Sequence, residues 1–435
     1  MVLAGRQTYD LRNTLALILA GGVGSRLNVL VHRRAKPAVP FGGTYRIIDF
    51  ALSNVMNSGI ERVGVLTQYM PYSLSRHLGR GDGWGMVGRS REVRILPPHT
   101  GTHEFEWYKG TADAVFRNLG YVGRHQPEMV LLLSGDHIYY MDYVALIEHH
   151  IRTGASATIA VMSIPIEQCS EFGTVIADEN DRIVAFEEKP AQPRSNLISL
   201  GIYVFSTEAL VRSLEEVCGV RRETDFGKHV FPYMLERDRL FAYRFGGYWQ
   251  DVGTIKAYFD TNMELLKPES PLDLPRWGVR TNLVEESLGD RPPAFIARGA
   301  RVRYATLARG ARILGTVESS ILSPGVVVAE GAVVRNSVLL HDAYVEAGAV
   351  VDGVVADKRV VIGREAHVGD PELGEDKNHL FPGHLDQGIT VIGKAASIPR
   401  RCRIGRNCCI FPDARLGELD VEVLASGETV EWEAS

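Results

Sequence analysis

Cysteine is scarce in this 435-residue chain: there are five, an odd number, and no two form a Cys-x-x-Cys pair. That speaks against a disulfide framework and a structural zinc site, and it fits a reducing cytoplasm. Also missing is any apolar run of the roughly 18 to 20 residues that a membrane span needs, and the N-terminus lacks the basic, apolar and small-residue succession of a signal peptide. The chain is expected to stay soluble where it is made, with no membrane partner. Neither sign of charge dominates, with 48 lysines and arginines against 53 aspartates and glutamates, a net charge of −5. Nucleic acid is therefore not an expected partner, and a basic cluster reads as a local site. Two nucleotide signatures fail as well. Arg26 and Leu27 stand where the third glycine of Gly-x-Gly-x-x-Gly would fall, and no Gly-Lys-Ser/Thr closes a P-loop. Neither a dehydrogenase nor a Walker-type ATPase is favoured.

What is present starts with "LALILAGGVGSRLNVLVHRRAKPAVPFGG", residues 15 to 43. An apolar run ends at Gly21, Gly22 and Gly24, where missing β-carbons let backbone N–H groups approach an anion. Arg26, Arg33, Arg34 and Lys36 follow, enough positive charge for a triphosphate. A tight strand-to-helix turn with solvated arginines accounts for the same letters. Further along, Asp136 in "SGDH" follows a buried run, and Asp251 sits in "GGYWQDVGT". Carboxylates at such places can hold a divalent metal beside phosphates, although Asp136 also fits a turn or helix cap. Lys189 in "FEEKP" is a point charge for a sugar phosphate or simply an exposed lysine. "WYKGTADAV", residues 107 to 115, joins Trp107 and Tyr108 to the Gly110, Thr111 and Ala112 turn, where a flat base could lie or a capped helix begin. His137 has no partner at ligand spacing and reads as a packed or loop residue.

Alternation of apolar runs ("LALIL", "RVGVLT", "MVLLLSGD", "ATIAVM", "GIYVF") with helical segments at 46–57, 111–124 and 142–153 predicts an α/β domain with a mostly parallel sheet. In such a sheet the glycine loop and Asp136 fall together beyond the carboxyl ends of the strands. A proline-rich, aperiodic stretch reads as a connector. From 295 onward apolar residues recur every six positions, including Ile296, Val302, Ile313, Val328, Val334 and the run Ile392, Ile398, Ile404, Ile410, with Gly-Ala pairs at 299, 310, 331 and 348. This predicts a parallel β-helix of hexapeptide repeats, interrupted by a loop at 370–388 and suited to packing on neighbours more than to chemistry. His341 and His367 read as outward side chains. The expected division is a catalytic domain over 1–268, a linker over 269–294 and the repeat domain over 295–435.

Taken in order, "LAGGVGSRL", "RAKPAVPFGGTYRIIDFALSNVMNSGI", "WYKGTADAV", "LSGDHIY", "FGTV", "FEEKP", "GIYVF" and "YWQDVGT" closely resemble the ADP-glucose pyrophosphorylases, within the sugar nucleotidyltransferases. The likeness runs over residues about 15 to 365. It implies a Rossmann-like nucleotidyltransferase domain followed by a left-handed parallel β-helix, and the conversion of ATP and glucose 1-phosphate to ADP-glucose and pyrophosphate with Mg²⁺. It further implies that Asp136 and Asp251 hold the metal, and that Arg26 and Lys36 stabilise the departing pyrophosphate. Tyr108, Gly173, Glu188, Lys189 and Ser199 would take glucose 1-phosphate, and Ala20, Gly21, Gly22, Gly24, Gln68, Trp107, Gly110 and Thr111 the nucleotide. The family implies a homotetramer regulated by a sugar-phosphate activator and by adenine nucleotide or phosphate as inhibitor. Arg33, Arg34, Arg46 and Lys394 would form the effector site. Arg33 stands where many relatives carry lysine, and a guanidinium fork and an ammonium select different phosphates; the choice of adenine over guanine or uracil comes from the resemblance. A subunit that had lost catalysis should lack a metal carboxylate or a phosphate cation, yet all of them are present.

Overall fold

Five continuous apolar runs become neighbouring strands in the structure, a computed structural model that describes residues 11–98 and 107–432. The first ten residues of the expected catalytic domain and the last three of the repeat domain lie outside the described residues. In chain order the strands are β1 (Thr14–Ala20), β2 (Arg62–Thr67), β3 (Glu92–Leu96), β4 (Met129–Ser134), β5 (His137–Tyr139), β6 (Ala157–Ser163), β7 (Gly173–Ala177), β8 (Ile183–Glu188), β9 (Leu197–Ser206), β10 (Leu240–Arg244) and β11 (Trp249–Asp251). The main sheet runs β8-β7-β9-β4-β1-β2-β3, with β6 also beside β9 and β10 beside β6. Its centre is parallel, with Leu17 opposite both Gly64 and Leu132. The long strand β9 enters antiparallel to β4, β6 and β7.

Leu15, Leu17, Val130 and Leu132 belong to one apolar cluster, while Ala16, Ile18, Leu131 and Leu133 belong to the other. With both faces covered, neighbouring positions of β1 are buried, which is why Leu15 to Ala20 is a continuous apolar run rather than an alternating one. Among the helices are α1 (Ile48–Asn57), α2 (Pro71–Leu78), α3 (Thr111–Phe116), α4 (Tyr143–Thr153) and α5 (Ile255–Glu264); α1 and α4 answer to the predicted segments 46–57 and 142–153, whereas 111–124 is split into α3 and a second helix over Leu119–His125. No helix among the described residues is long and apolar enough to cross a membrane.

Beyond residue 295 the chain winds into a parallel β-helix. Val317, Val334, Val351, Val368 and Ile404 stack in register, as do Ile313, Val328, Val345, Ile362 and Ile398. All are buried, so the six-residue period marks the inward positions. Ile296 and Val302 keep the period but are exposed, because they lie on the first rung and no turn stacks beneath them. His341 departs from expectation: it is only 3% exposed. Its corner of the solenoid is turned onto the first domain, where burial, with Lys358 and Arg46 nearby, holds its imidazole neutral far below the usual range. The interruption at 370–388 is folded back rather than thrown out. Asn378 is fully buried, donating to the Asn407 carbonyl at 2.9 Å and to the Thr429 hydroxyl at 3.1 Å.

The connector is a pinned strap. Trp277 stacks on Tyr140 and meets Phe50 edge-on, and its carbonyl accepts from Asn57 Nδ2 at 2.9 Å. Arg280 N–H donates to Ser53 Oγ, and Asn282 donates to the His77 carbonyl. An apolar cluster joins Leu27, Val29, Leu30, Phe41 and Tyr258 of the first domain to Ile321, Val338, Val355, Val391 and Cys409 of the solenoid. The two domains therefore share a core.

Candidate active site

Three loops leave the carboxyl ends of the parallel strands on one side of the sheet, and two adjoining cavities open there. The larger, of about 500 Å³, is floored by Ala20, Gly21, Gly22 and Gly24 after β1 and walled by Gln68 and Tyr108. The smaller, of about 260 Å³, is lined by Gly173, Glu188, Lys189, Ser199 and Tyr203. Arg26, Lys36, Ser134 and Asp136 belong to both.

The shared wall is where the charges meet. Strand β11 pairs with β5, setting Asp251 opposite His137 and so beside Asp136. The Lys36 ammonium lies between the two carboxylates, donating to Asp136 Oδ2 at 2.9 Å and to Asp251 Oδ1 at 3.0 Å. Lys36 is buried, and although burial lowers its pKa, Asp136 and Asp251 outweigh that and raise it. Burial pushes the Asp136 carboxyl up, but Lys36, His137 and the Ser134 hydroxyl hold it well below the usual carboxylate range. Gly24 makes this packing feasible: its φ is +66°, and a Cβ there would lie 2.7 Å from Lys36 Cβ. Arg26 Nη1 donates to Glu171 Oε2 at 2.9 Å, with Nη2 3.9 Å from Asp251.

On the nucleotide side, the Gln68 amide is fixed by the Tyr108 backbone, accepting its N–H at 2.7 Å and donating to its carbonyl at 3.3 Å. Gly110 passes close under Thr224, whose oxygen a Cβ would meet at 2.4 Å. That carbonyl accepts from Ala112 and Asp113 N–H at 2.9 and 3.2 Å, so these donors of α3 serve the chain itself. Thr111 caps no helix; its hydroxyl accepts from Phe226 N–H at 3.2 Å. Trp107 is 54% exposed and lines neither cavity.

On the other side, Gly173, Glu188, Lys189 and Ser199 line one cavity. Lys189 is exposed with a φ of +47°, its N–H donating to the Phe172 carbonyl. Burial, then the neighbouring Asp225, raises the Glu188 pKa. Tyr108 does not join this group. It lines the larger cavity, and its hydroxyl donates to the Leu96 carbonyl and accepts from Asn118 Nδ2, so it points into the core.

Residues 15–268 match the family model described as nucleotidyl transferase, and residues 293–392 match that described as GlmU-like, C-terminal hexapeptide. A glucose-1-phosphate adenylyltransferase of Thermotoga maritima is 46% identical, over 96% of this chain and 98% of its own length. Those of Thermomicrobium roseum and Acetivibrio thermocellus are 47% and 42% identical, over 95% and 96% of this chain and 96% and 99% of their own lengths. The chain belongs to the glucose-1-phosphate adenylyltransferase family.

The four residues that this family suggests for an effector site are not gathered in one open pocket. Arg34 is 2% exposed and donates to Asp357 at 2.9 Å and to the Leu30 carbonyl. Arg46, at 5%, donates to Glu285 of the strap at 2.7 Å and to the Ser73 hydroxyl. Both guanidiniums thus work as interdomain or strap ties. Arg33 is exposed and reaches Asp413 at 2.8 Å, and Asp413 N–H in turn donates to the Lys394 carbonyl.

Glu171 and Tyr203 are among the cavity-lining residues that escape the motif reading. Tyr203 had a signal: Ser199, Gly201 and Tyr203 alternate along β9 and all face the smaller cavity. Glu171 precedes "FGTV" at the end of a short 3-10 helix, Ile166–Glu171, and had none.

Proposed function

We propose that this chain transfers the adenylyl group of ATP to α-D-glucose 1-phosphate, giving pyrophosphate and ADP-glucose, the glucosyl donor for glycogen-type α-glucans. The observation that carries the reading is the Asp136–Lys36–Asp251 cluster, with Asp136 and Lys36 on the wall common to the two cavities and Asp251 joining them from the smaller one. A reaction joining two anions needs cations and metal-binding oxygens at their meeting point. Glucose 1-phosphate is largely dianionic at neutral pH, its second pKa being about 6. Its oxygen can attack the α-phosphorus without a general base, so the protein's tasks are alignment and charge neutralisation.

In this reading the triphosphate lies along Gly21, Gly22 and Gly24, with Arg26 and Lys36 on its pyrophosphate end. Gln68 and the Gly110–Thr111 turn border the base. Lys189 faces the sugar phosphate, while Glu188, Gly173 and Ser199 border the sugar. Nucleotidyl transfer uses a divalent metal, and the donor set suits a hard ion such as Mg²⁺: Asp136 and Asp251 offer carboxylate oxygens from either side of one point. Among the described residues no third His, Cys, Asp or Glu completes a cage. Phosphate oxygens and water would supply the remaining ligands. When bound, the ion screens the charge that builds between the two phosphates. Lys36, which holds both carboxylates in the structure, would turn to the triphosphate.

For regulation, we place a sugar-phosphate activator, and adenine nucleotide or phosphate as inhibitor, where Arg33 meets the solenoid corner at Asp413 and Lys394. The buried ties of Arg34 and Arg46 support that site from behind. We read the working form as a cytoplasmic homotetramer. The test is pyrophosphate release from Mg-ATP with glucose 1-phosphate present or absent, repeated with GTP and UTP and with fructose 6-phosphate or fructose 1,6-bisphosphate added. Sugar-dependent release with ATP, raised by one effector, is expected. Release favouring GTP or UTP would overturn the adenylyl assignment, and silence from a folded chain that binds ATP would point to a binding subunit.

A further inference from the structure

The nucleotide loop does not stand on its own domain alone. From Ser25 to Val31 the chain makes short helical turns broken at Asn28, where φ is +50° and ψ is −131°. A residue with a side chain is strained there, and such strain persists only where the surroundings over-determine it. The surroundings in this case include the other domain. Asn28 is 4% exposed, and its Oδ1 accepts from Sγ of Cys409 at 3.1 Å. Cys409 opens a rung strand of the solenoid, Cys409–Ile410, and is fully buried; burial pushes its thiol well above the usual range, so it stays protonated and able to donate. Leu27, Val29 and Leu30, on both sides of the break, lie in the apolar cluster that holds Val391 and Cys409. Arg26, common to both cavities, is two residues upstream.

We propose that Asn28 is a positioning residue for adenylyl transfer: clamped by Cys409 of the solenoid, it keeps the loop in the backbone conformation that aims Arg26 at the triphosphate. The proposal rests on the reading of Arg26 given above. It makes the repeat domain a part of the active-site scaffold, acting through one polar contact and the apolar side chains around it. No reacting atom touches Asn28. Its loss should register first as a change in how the nucleotide is held, because the loop aims Arg26 at the triphosphate, whereas Glu188, Lys189 and Ser199 on the sugar-phosphate side are set by β8, the turn after it and β9.

Four full-length variants separate the clamp from the kink. Cys409→Ala removes the donor and leaves a buried oxygen unpaired, whereas Cys409→Ser keeps a donor of similar size. Asn28→Gly adopts the positive φ without strain, whereas Asn28→Ala pays for it in full. The readouts are the KM for ATP, the KM for glucose 1-phosphate, kcat and the melting temperature. Cys409→Ala is expected to raise the KM for ATP about three- to tenfold, with the KM for glucose 1-phosphate unchanged within about twofold. Cys409→Ser should restore most of the loss at an equal melting temperature, and Asn28→Ala should be worse than Asn28→Gly. The proposal is overturned if both KM values move together, if serine fails to rescue, or if alanine at 28 outperforms glycine. Arg26→Ala, measured alongside, tells the failures apart. An unmoved KM for ATP in Arg26→Ala removes the nucleotide reading of the loop and the proposal with it; a raised value there with none in Cys409→Ala overturns the proposal alone.

Discussion

Replacing Lys36 by methionine keeps the length of the side chain but takes a cation from between two carboxylates. At the observed 2.9 and 3.0 Å, and with an effective dielectric constant near 20, each ion pair is worth roughly 5 kcal/mol of gross attraction. Burying the ammonium offsets much of this. Because Asp136 and Asp251 keep some contact with water, the net loss of stability in Lys36→Met should be about 1–3 kcal/mol, below the ~3–5 kcal/mol of a fully buried broken pair. For a domain of this size that is a fall in melting temperature of roughly 3–10 °C. The pH dependence should also change sign. In the native protein the Asp136 pKa is depressed, so its contribution is complete above the unfolded value of about 3.9 and is lost as pH falls below it. Without Lys36, burial governs and the folded-state pKa rises, so the variant should regain stability as pH drops from 7 toward 5. A second measurement is independent of folding. Mn²⁺ titrated into the nucleotide-free protein and followed by electron paramagnetic resonance should bind Lys36→Met about tenfold or more tightly than the native chain, since the resident cation no longer competes. Turnover should fall at the same time, because Lys36 also serves the triphosphate. Unchanged Mn²⁺ affinity together with an unchanged melting temperature would refute the view of Lys36 as the counter-ion of the metal carboxylates.

Asp136→Asn should cut turnover by about 10²–10⁴, as measured by pyrophosphate release, while lowering the melting temperature only modestly because Asp251 still pairs Lys36; near-native turnover would remove Asp136 from the metal site. Lys189→Ala should raise the KM for glucose 1-phosphate about tenfold or more while sparing the KM for ATP, and an equal rise in both would contradict the division into two cavities. His77 lies in a buried knot with Asp49 and Glu285, and Arg46 joins it through Glu285. Burial lowers the His77 pKa, but the two carboxylates outweigh this and raise it. Its contribution is therefore complete below the unfolded value of about 6.5 and fades as pH rises through the higher folded value. His77→Gln should flatten that part of the profile in thermal melts between pH 6 and 9, and an unaltered slope would show that the ring is neutral in the native state.

The parallel centre of the sheet was legible because burial on both faces makes the interior positions of β1, β2 and β4 a run of non-polar residues. The solenoid was legible because each turn repeats its inward residue, as Ile392, Ile398, Ile404 and Ile410 do. What pattern could not convey was contact across the chain. Arg34 read as part of a phosphate-binding cluster because its neighbours in sequence are basic, and Arg46 entered the effector group only through the family resemblance; neither signal could show that their partners Asp357 and Glu285 lie more than 200 residues away in sequence. Tyr108 was grouped with the sugar phosphate, and only the positions of Leu96 and Asn118 show that its hydroxyl faces inward. The connector looked loose for want of periodicity; its order comes from Trp277 and from main-chain bonds, neither of which needs a repeat. Asp136 alone also fitted a turn or cap, and its pairing with Asp251 depends on the short ribbon of β5 and β11.

The apolar seam between the nucleotide loop and the solenoid bears on how genes of this kind can be cut and recombined. A stop codon near residue 268 would leave Leu27, Val29 and Leu30 facing water, and a protease nick in the strap would not free a working half. Chimaeras that exchange whole repeat domains between relatives would have to carry the matching loop residues with them, so substitutions on either side of the seam would be inherited as a set.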